Sequence, residues 1–199
     1  MAKFAIPNND KQLFDVLKAD GVLVDIDPTK FEGETGAALI FCGDCDQSSD
    51  VWNHFQDMMT AAGKPNRLFP VSRAGGAIWV PNSTLLERVD LPRDKDIFFD
   101  LNVAFQKKDI SMIFSTVHAP CGAAGDFELS YFDQIDLVAQ GYHRLRRKYK
   151  GQVIPYIHTC YSEDKRRTTV VKVKTWDRKK ENYRRFDYSP DKLFKTASL

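Results

Sequence analysis

Apolar runs of membrane length are missing from this chain: none of its 199 residues lies in a stretch near the roughly 20 that a spanning helix needs. The opening residues, MAKFAIPNND, hold too short an apolar stretch for a secretory signal. Both absences lead to the expectation of a cytoplasmic protein with no membrane partner. Cysteine is scarce as well, with four residues, too few for a disulfide scaffold. In a reducing compartment, clustered cysteines point instead to metal binding or catalysis. Internal repeats and low-complexity segments are absent, which excludes a solenoid. Net charge is nearly absent: 29 Lys and Arg stand against 27 Asp and Glu. That balance conceals a split, because residues 1–140 sum to −9 and residues 141–199 to +11. Such a split suggests an acidic partner or self-association.

What is present describes one globular domain over 1–199, since 43% of residues are hydrophobic and 28% charged. Residues 9–19 have helical spacing, with Leu13, Val16 and Leu17 on one face and Gly21 as the stop. The run GAALIFC over 36–42 suits a strand covered on both faces. A helix follows over 47–62, then a strand over 67–72 whose Pro70 argues for an edge. Gly75-Gly76 marks a turn. Residues 95–107 predict a helix, 110–117 a buried strand and 127–149 a long amphipathic helix. Two late strands are expected over 152–158 and 168–176. The alternation predicts an α/β fold, a mostly parallel sheet flanked by helices. It divides into an N-terminal helical arm (1–34), a core (35–160) and a basic C-terminal strand and tail (161–199).

Ligands in such sheets bind beyond the carboxyl ends of strands. Two short motifs sit there. Cys42-Gly43-Asp44-Cys45-Asp46 follows the strand 36–42, and His118-Ala119-Pro120-Cys121-Gly122 follows the strand 110–117. If the strands are neighbours, Cys42, His118 and Cys121 converge. Two thiolates and an imidazole make a zinc set with a fourth position open. Zinc-bound water loses a proton near neutral pH and becomes a nucleophile.

These residues resemble the beta-class carbonic anhydrases. That family has Cys-x-Asp-Ser-Arg after one strand and His-x-x-Cys-Gly after a later one. Here Cys42, Asp44, His118, Cys121 and Gly122 stand in matching places, with Ser72-Arg73-Ala74-Gly75-Gly76 between them where the family has Arg-Asn-Ala-Gly. The resemblance covers roughly 35–160. It implies zinc held by Cys42, His118 and Cys121, and the reversible hydration of carbon dioxide to bicarbonate. It also implies a homodimer or higher homo-oligomer, with the N-terminal helix embracing the partner. Asp44 would accept the hydroxide's hydrogen bond and aim its lone pair. Backbone N–H groups at Gly122 and Ala123 would approach developing bicarbonate oxygens; a plain turn glycine is the other reading of Gly122.

The chain departs from the pattern at Cys45, where the family has Ser, and at Asp46, where it has Arg. Without that cation Asp44 could ligate zinc directly and close the site. Arg73 either turns towards Asp44 and rebuilds the ion pair or stands solvated on its loop. Cys45 offers a closed Cys₃His site, structural rather than catalytic. His54, His143 and His158 are read as surface or packing residues or as proton relays, and Cys160 as a buried strand-end residue. Ten Lys or Arg over 165–185, with Trp176 and Tyr183 among them, match a single-stranded nucleic-acid surface in composition. Alternation predicts instead that Lys172 and Lys174 form the wet face of an edge strand. No RNA-binding motif accompanies them, so a nucleic-acid partner is not expected. A third reading docks this segment on the acidic portion of a second subunit.

Overall fold

The computed structural model describes residues 5–44, 47–83, 86, 93–162 and 165–187. In chain order the elements are α1 (Asn8–Ala19), β1 (Leu23–Val24), β2 (Ala37–Phe41), α2 (Ser48–Ala61), β3 (Leu68–Ser72) and α3 (Arg93–Lys107). Then come β4 (Met112–Ala119), α4 (Gly122–Asp126), α5 (Tyr131–Lys148), β5 (Gln152–Ser162), β6 (Lys165–Val171) and α6 (Val173–Lys179). The strands form one six-stranded sheet in the order β1-β6-β5-β4-β2-β3. β3, β2, β4 and β5 run parallel, while β6 runs antiparallel to both of its neighbours, β5 and β1. This is the expected α/β architecture, a mostly parallel sheet flanked by helices.

Every residue of β2 and β4 is buried, which explains their unbroken apolar sequence. Ala37 pairs with Met112 and Ile40 with Ser115, so both strands point the same way and end at one edge of the sheet. β3 lies at the sheet's edge, where Pro70 costs no ladder hydrogen bond on its open side. One face is covered by α2, whose Val51, Phe55 and Met59 pack on Leu39, Met112, Phe114 and Tyr156. The rings of Phe55 and Phe114 are 4.7 Å apart. The other face is covered by α3 and α5, with Ile97, Leu101, Ile135 and Val138 against Ala38, Ile40, Ile113 and Val117. α1 buries Leu13, Phe14 and Leu17 in this second core. The apolar face of the expected arm is therefore covered by its own chain.

Several element boundaries depart from the sequence reading: β5 runs on to Ser162, β6 begins at Lys165, and two further departures have a visible cause. The long helix begins at Tyr131 rather than 127. Ser130 Oγ accepts the Asp133 N–H, and the Asp133 carboxylate accepts the Ser130 N–H, a capping box that starts the helix there. Ser130→Ala is expected to lower stability by about 1 kcal/mol, measurable by denaturant titration. The strand expected over 168–176 ends at Val171, and α6 takes its place. Trp176 supplies the reason: its ring packs 5.0 Å from Phe132, and its Nε1–H donates to Asp136 Oδ1 at 2.9 Å. That anchoring folds the segment onto α5. Lys172 and Lys174 therefore stand at the start of a helix, not on an edge strand.

The charge split is met in part inside one chain. Arg166 pairs with Asp50, and Arg167 with Asp25 at 2.9 Å. Lys179 pairs with Asp20 at 3.7 Å, and Lys180 with Asp136 at 3.2 Å. Part of the basic segment thus docks on the acidic portion of its own chain. Among the described residues, no helix is long and apolar enough to cross a membrane.

Candidate metal centre

β2 and β4 carry their motifs to a common edge. Cys42 follows the last residue of β2, His118 sits next to the end of β4, and Cys121 precedes the first turn of α4. One ligand atom from each lies within 4.8 Å of the others, and all three residues are buried. The two sulfurs are 4.0 Å apart. Among the described residues this Cys-His-Cys group is the one cluster with the geometry to hold a metal ion.

The donors fit such an ion. His118 is 2% exposed, and neither ring nitrogen has a hydrogen-bond partner among the described residues. An unsatisfied buried polar group costs about 1–3 kcal/mol, so an imidazole with two of them is built to meet something the chain binds. Two sulfurs and an imidazole form a borderline-soft set of the kind that suits zinc.

The turn after β3 completes the base of the site. The Gly75 N–H donates to Cys42 Sγ at 3.1 Å. Gly75 has φ +89° and Gly76 φ +58°, a region that favours glycine. A Cβ on Gly76 would stand 2.7 Å from the Cys42 nitrogen and 2.8 Å from the Thr116 carbonyl. Only a backbone without a side chain fits between the ends of β2 and β4. The Cys42 thiol is pulled down to about 4, first by the hydrogen bond from Cys121, against the cost of burial, and then by His118 and the Gly75 N–H. The Cys121 thiol is pushed up by the same pairing and by burial.

Asp44 lies beside this group, its Oδ2 3.9 Å from His118 Nε2, and its side chain is partly exposed. It is not one of the three clustered donors. Arg73 is neither solvated nor turned to Asp44: its guanidinium is half-buried, bound to Asp100 at 3.1 Å and to the Ser72 carbonyl at 2.7 Å. Asp100 on α3 captures it because α3 packs beside β3, a proximity that no local pattern reveals. Gly122 opens α4 with empty space where a Cβ would stand, so packing does not demand glycine there. The N–H groups of Ala123 and Ala124 are directed to the Cys121 sulfur. Cys45 and Asp46 lie outside the described residues.

The other singled-out residues are dispersed. His143 is at the surface, 2.8 Å from Asp177. The Cys160 thiol is buried and donates to the Ser162 carbonyl at 3.3 Å. His54, on α2, is half-buried, and burial pushes its pKa down. His158 is buried beside His118 in the sheet, and burial pulls it down to about 4, aided by the neighbouring His118 and His54. The sequence reading gave no role to the Gly75 N–H. Its signal was the glycine pair just after a strand. Gln47 was also passed over; it is buried, and its amide Nε2 donates to the Pro120 carbonyl at 3.3 Å, tying α2's start to the second motif.

No family model and no curated protein matches the chain. Among solved structures, that of the beta-carbonic anhydrase CcaA is similar at 13% identity and a TM-score of 0.37, over 75% of this chain and 81% of that one.

Proposed function

We propose that this chain is a zinc-dependent, carbonic anhydrase-like enzyme that hydrates carbon dioxide reversibly to bicarbonate. The observation that carries the reading is the meeting of Cys42, His118 and Cys121 at adjacent parallel strand ends, with neither His118 nitrogen hydrogen-bonded among the described residues. These three residues would hold the ion. When bound, zinc supplies the Lewis acidity that lets water act as a nucleophile near neutral pH.

The chain's own residues do the rest. The Gly75 N–H stabilises negative charge on Cys42 and fixes where its sulfur points. Asp44 offers a carboxylate beside the ligand set, placed to accept a hydrogen bond and orient the attacking group. Carbon dioxide is small, apolar and uncharged, and the buried apolar side chains that pack with Cys42 and Cys121 suit it. With three donors clustered among the described residues, a fourth position is left for chemistry. We further propose a homodimer or higher assembly in the cytoplasm.

Metal analysis combined with stopped-flow hydration across pH tests the proposal. The expected result is about one zinc per chain and a hydration rate that rises with pH through the neutral range. Zinc without acceleration at any pH would assign the fold to a non-catalytic zinc protein. A chain that retains no metal would remove the proposal altogether.

A further inference from the structure

Behind the three donors, one row of side chains crosses three strands. His118 of β4 is in register with His158 of β5, and His158 with Thr168 of β6. The outer half of the row is closed, with His158 Nδ1 and Thr168 Oγ1 2.8 Å apart. The inner half is open: His158 Nε2 and His118 Nδ1 are both buried with no hydrogen-bond partner among the described residues. Thr116 Oγ1 and Tyr156 OH, one register step inward on the same face, share that condition. So does His54 Nε2, on the helix that covers this face. Buried polar atoms this dense are the setting in which ordered water makes two to four hydrogen bonds.

One assignment of protons satisfies the row. The Nε2 of His118 faces Asp44. With Nε2 given to an ion, His118 keeps its proton on Nδ1, and that N–H needs an acceptor. His158 is 4% exposed, a place where the uncharged imidazole is the cheaper form to bury. In this assignment the His158 Nδ1–H donates to Thr168 Oγ1, which leaves the Nε2 lone pair directed inward.

We infer that His158, oriented by Thr168, is a positioning residue for the metal ligand: through one buried water it accepts the Nδ1–H of His118. It thereby sets the tautomer and ring angle with which His118 meets the ion. The inference rests on the metal reading proposed above. Outer partners of this kind change metal affinity by about 10–100-fold when removed.

Chelator competition for zinc on the full chain tests it. His158→Phe removes the acceptor, and zinc is expected to bind about 10–100-fold more weakly. His158→Gln restores an acceptor oxygen and is expected to keep most of the affinity. Thr168→Val frees the His158 tautomer and is expected to fall between the two. A purely structural role predicts the reverse order, because Phe suits an apolar core better than Gln does. In the zinc-loaded wild type, nitrogen NMR is expected to show His118 protonated at Nδ1. A folded His158→Phe chain that binds zinc within about twofold of wild type overturns the inference. If that variant does not fold, unchanged affinity in Thr168→Val overturns it. A wild-type chain without zinc fails earlier and differently, by removing the metal reading itself.

Discussion

Cys121→Ala is expected to empty the metal centre. Zinc bound in a protein site of sulfur and nitrogen donors carries about 10–16 kcal/mol of apparent binding free energy. One donor of three then accounts for roughly 3–5 kcal/mol, or about 10²–10⁴-fold in affinity. Among the described residues little offsets that loss. Asp44 stands outside the cluster, 3.9 Å from His118, and the other described cysteine, Cys160, is tied to the Ser162 carbonyl. The variant itself should fold, because the removed side chain is small and the backbone around Cys121 is held by α4. Zinc per chain after gel filtration is therefore expected to fall from about one to below about a tenth, and hydration to the uncatalysed rate. Stoichiometric zinc in Cys121→Ala would place the ion elsewhere. His118→Ala is the companion variant, since it removes the orphaned imidazole from which the fit was argued.

Gly76→Ala is expected to cost about 3 kcal/mol or more. Two penalties coincide. The residue has φ +58°, which strains any side chain, and the added Cβ would meet three backbone atoms at 2.7, 2.8 and 2.9 Å. Those atoms belong to Phe41, Cys42 and Thr116, so relief requires moving the strand ends that carry the donors. At about 2–4 °C per kcal/mol for a domain of this size, Tm is expected to fall by about 6–12 °C. Zinc affinity is expected to fall with it, because the Gly75 N–H shifts off Cys42. Gly122→Ala is the control: nothing lies within 4 Å of its added Cβ, so stability is expected to change by less than about 1 kcal/mol. A Gly76→Ala chain that melts within about 2 °C of wild type would contradict the close approach described here.

Much of the core was legible because its causes are local. GAALIFC and ISMIFSTV read as buried strands because parallel strands between helix layers have no wet face to mark. Pro70 announced an edge, and β3 is one. The boundary of α5 was misplaced although the capping Ser130 and Asp133 stand in the sequence, because the apolar period runs on through Leu129 and hides the stop. The end of β6 was missed for a different reason. Thr168–Trp176 alternates like a strand, yet Trp176 finds Asp136 and Phe132 on α5 and turns the chain into a helix. A tertiary contact overrode the local pattern.

Which residue types stand after the strands, and that the strands belong to a mostly parallel sheet, follows from order and period alone. Whether three donors then meet does not, since proximity depends on β2 and β4 being adjacent in register, a fact set by packing across the 79-position separation of Cys42 and Cys121. Likewise, only the folded chain hands Arg73 to Asp100 and lines up His118, His158 and Thr168 across three strands. Pairing between distant segments is selected by the burial of whole faces, and no short window of sequence contains that sum.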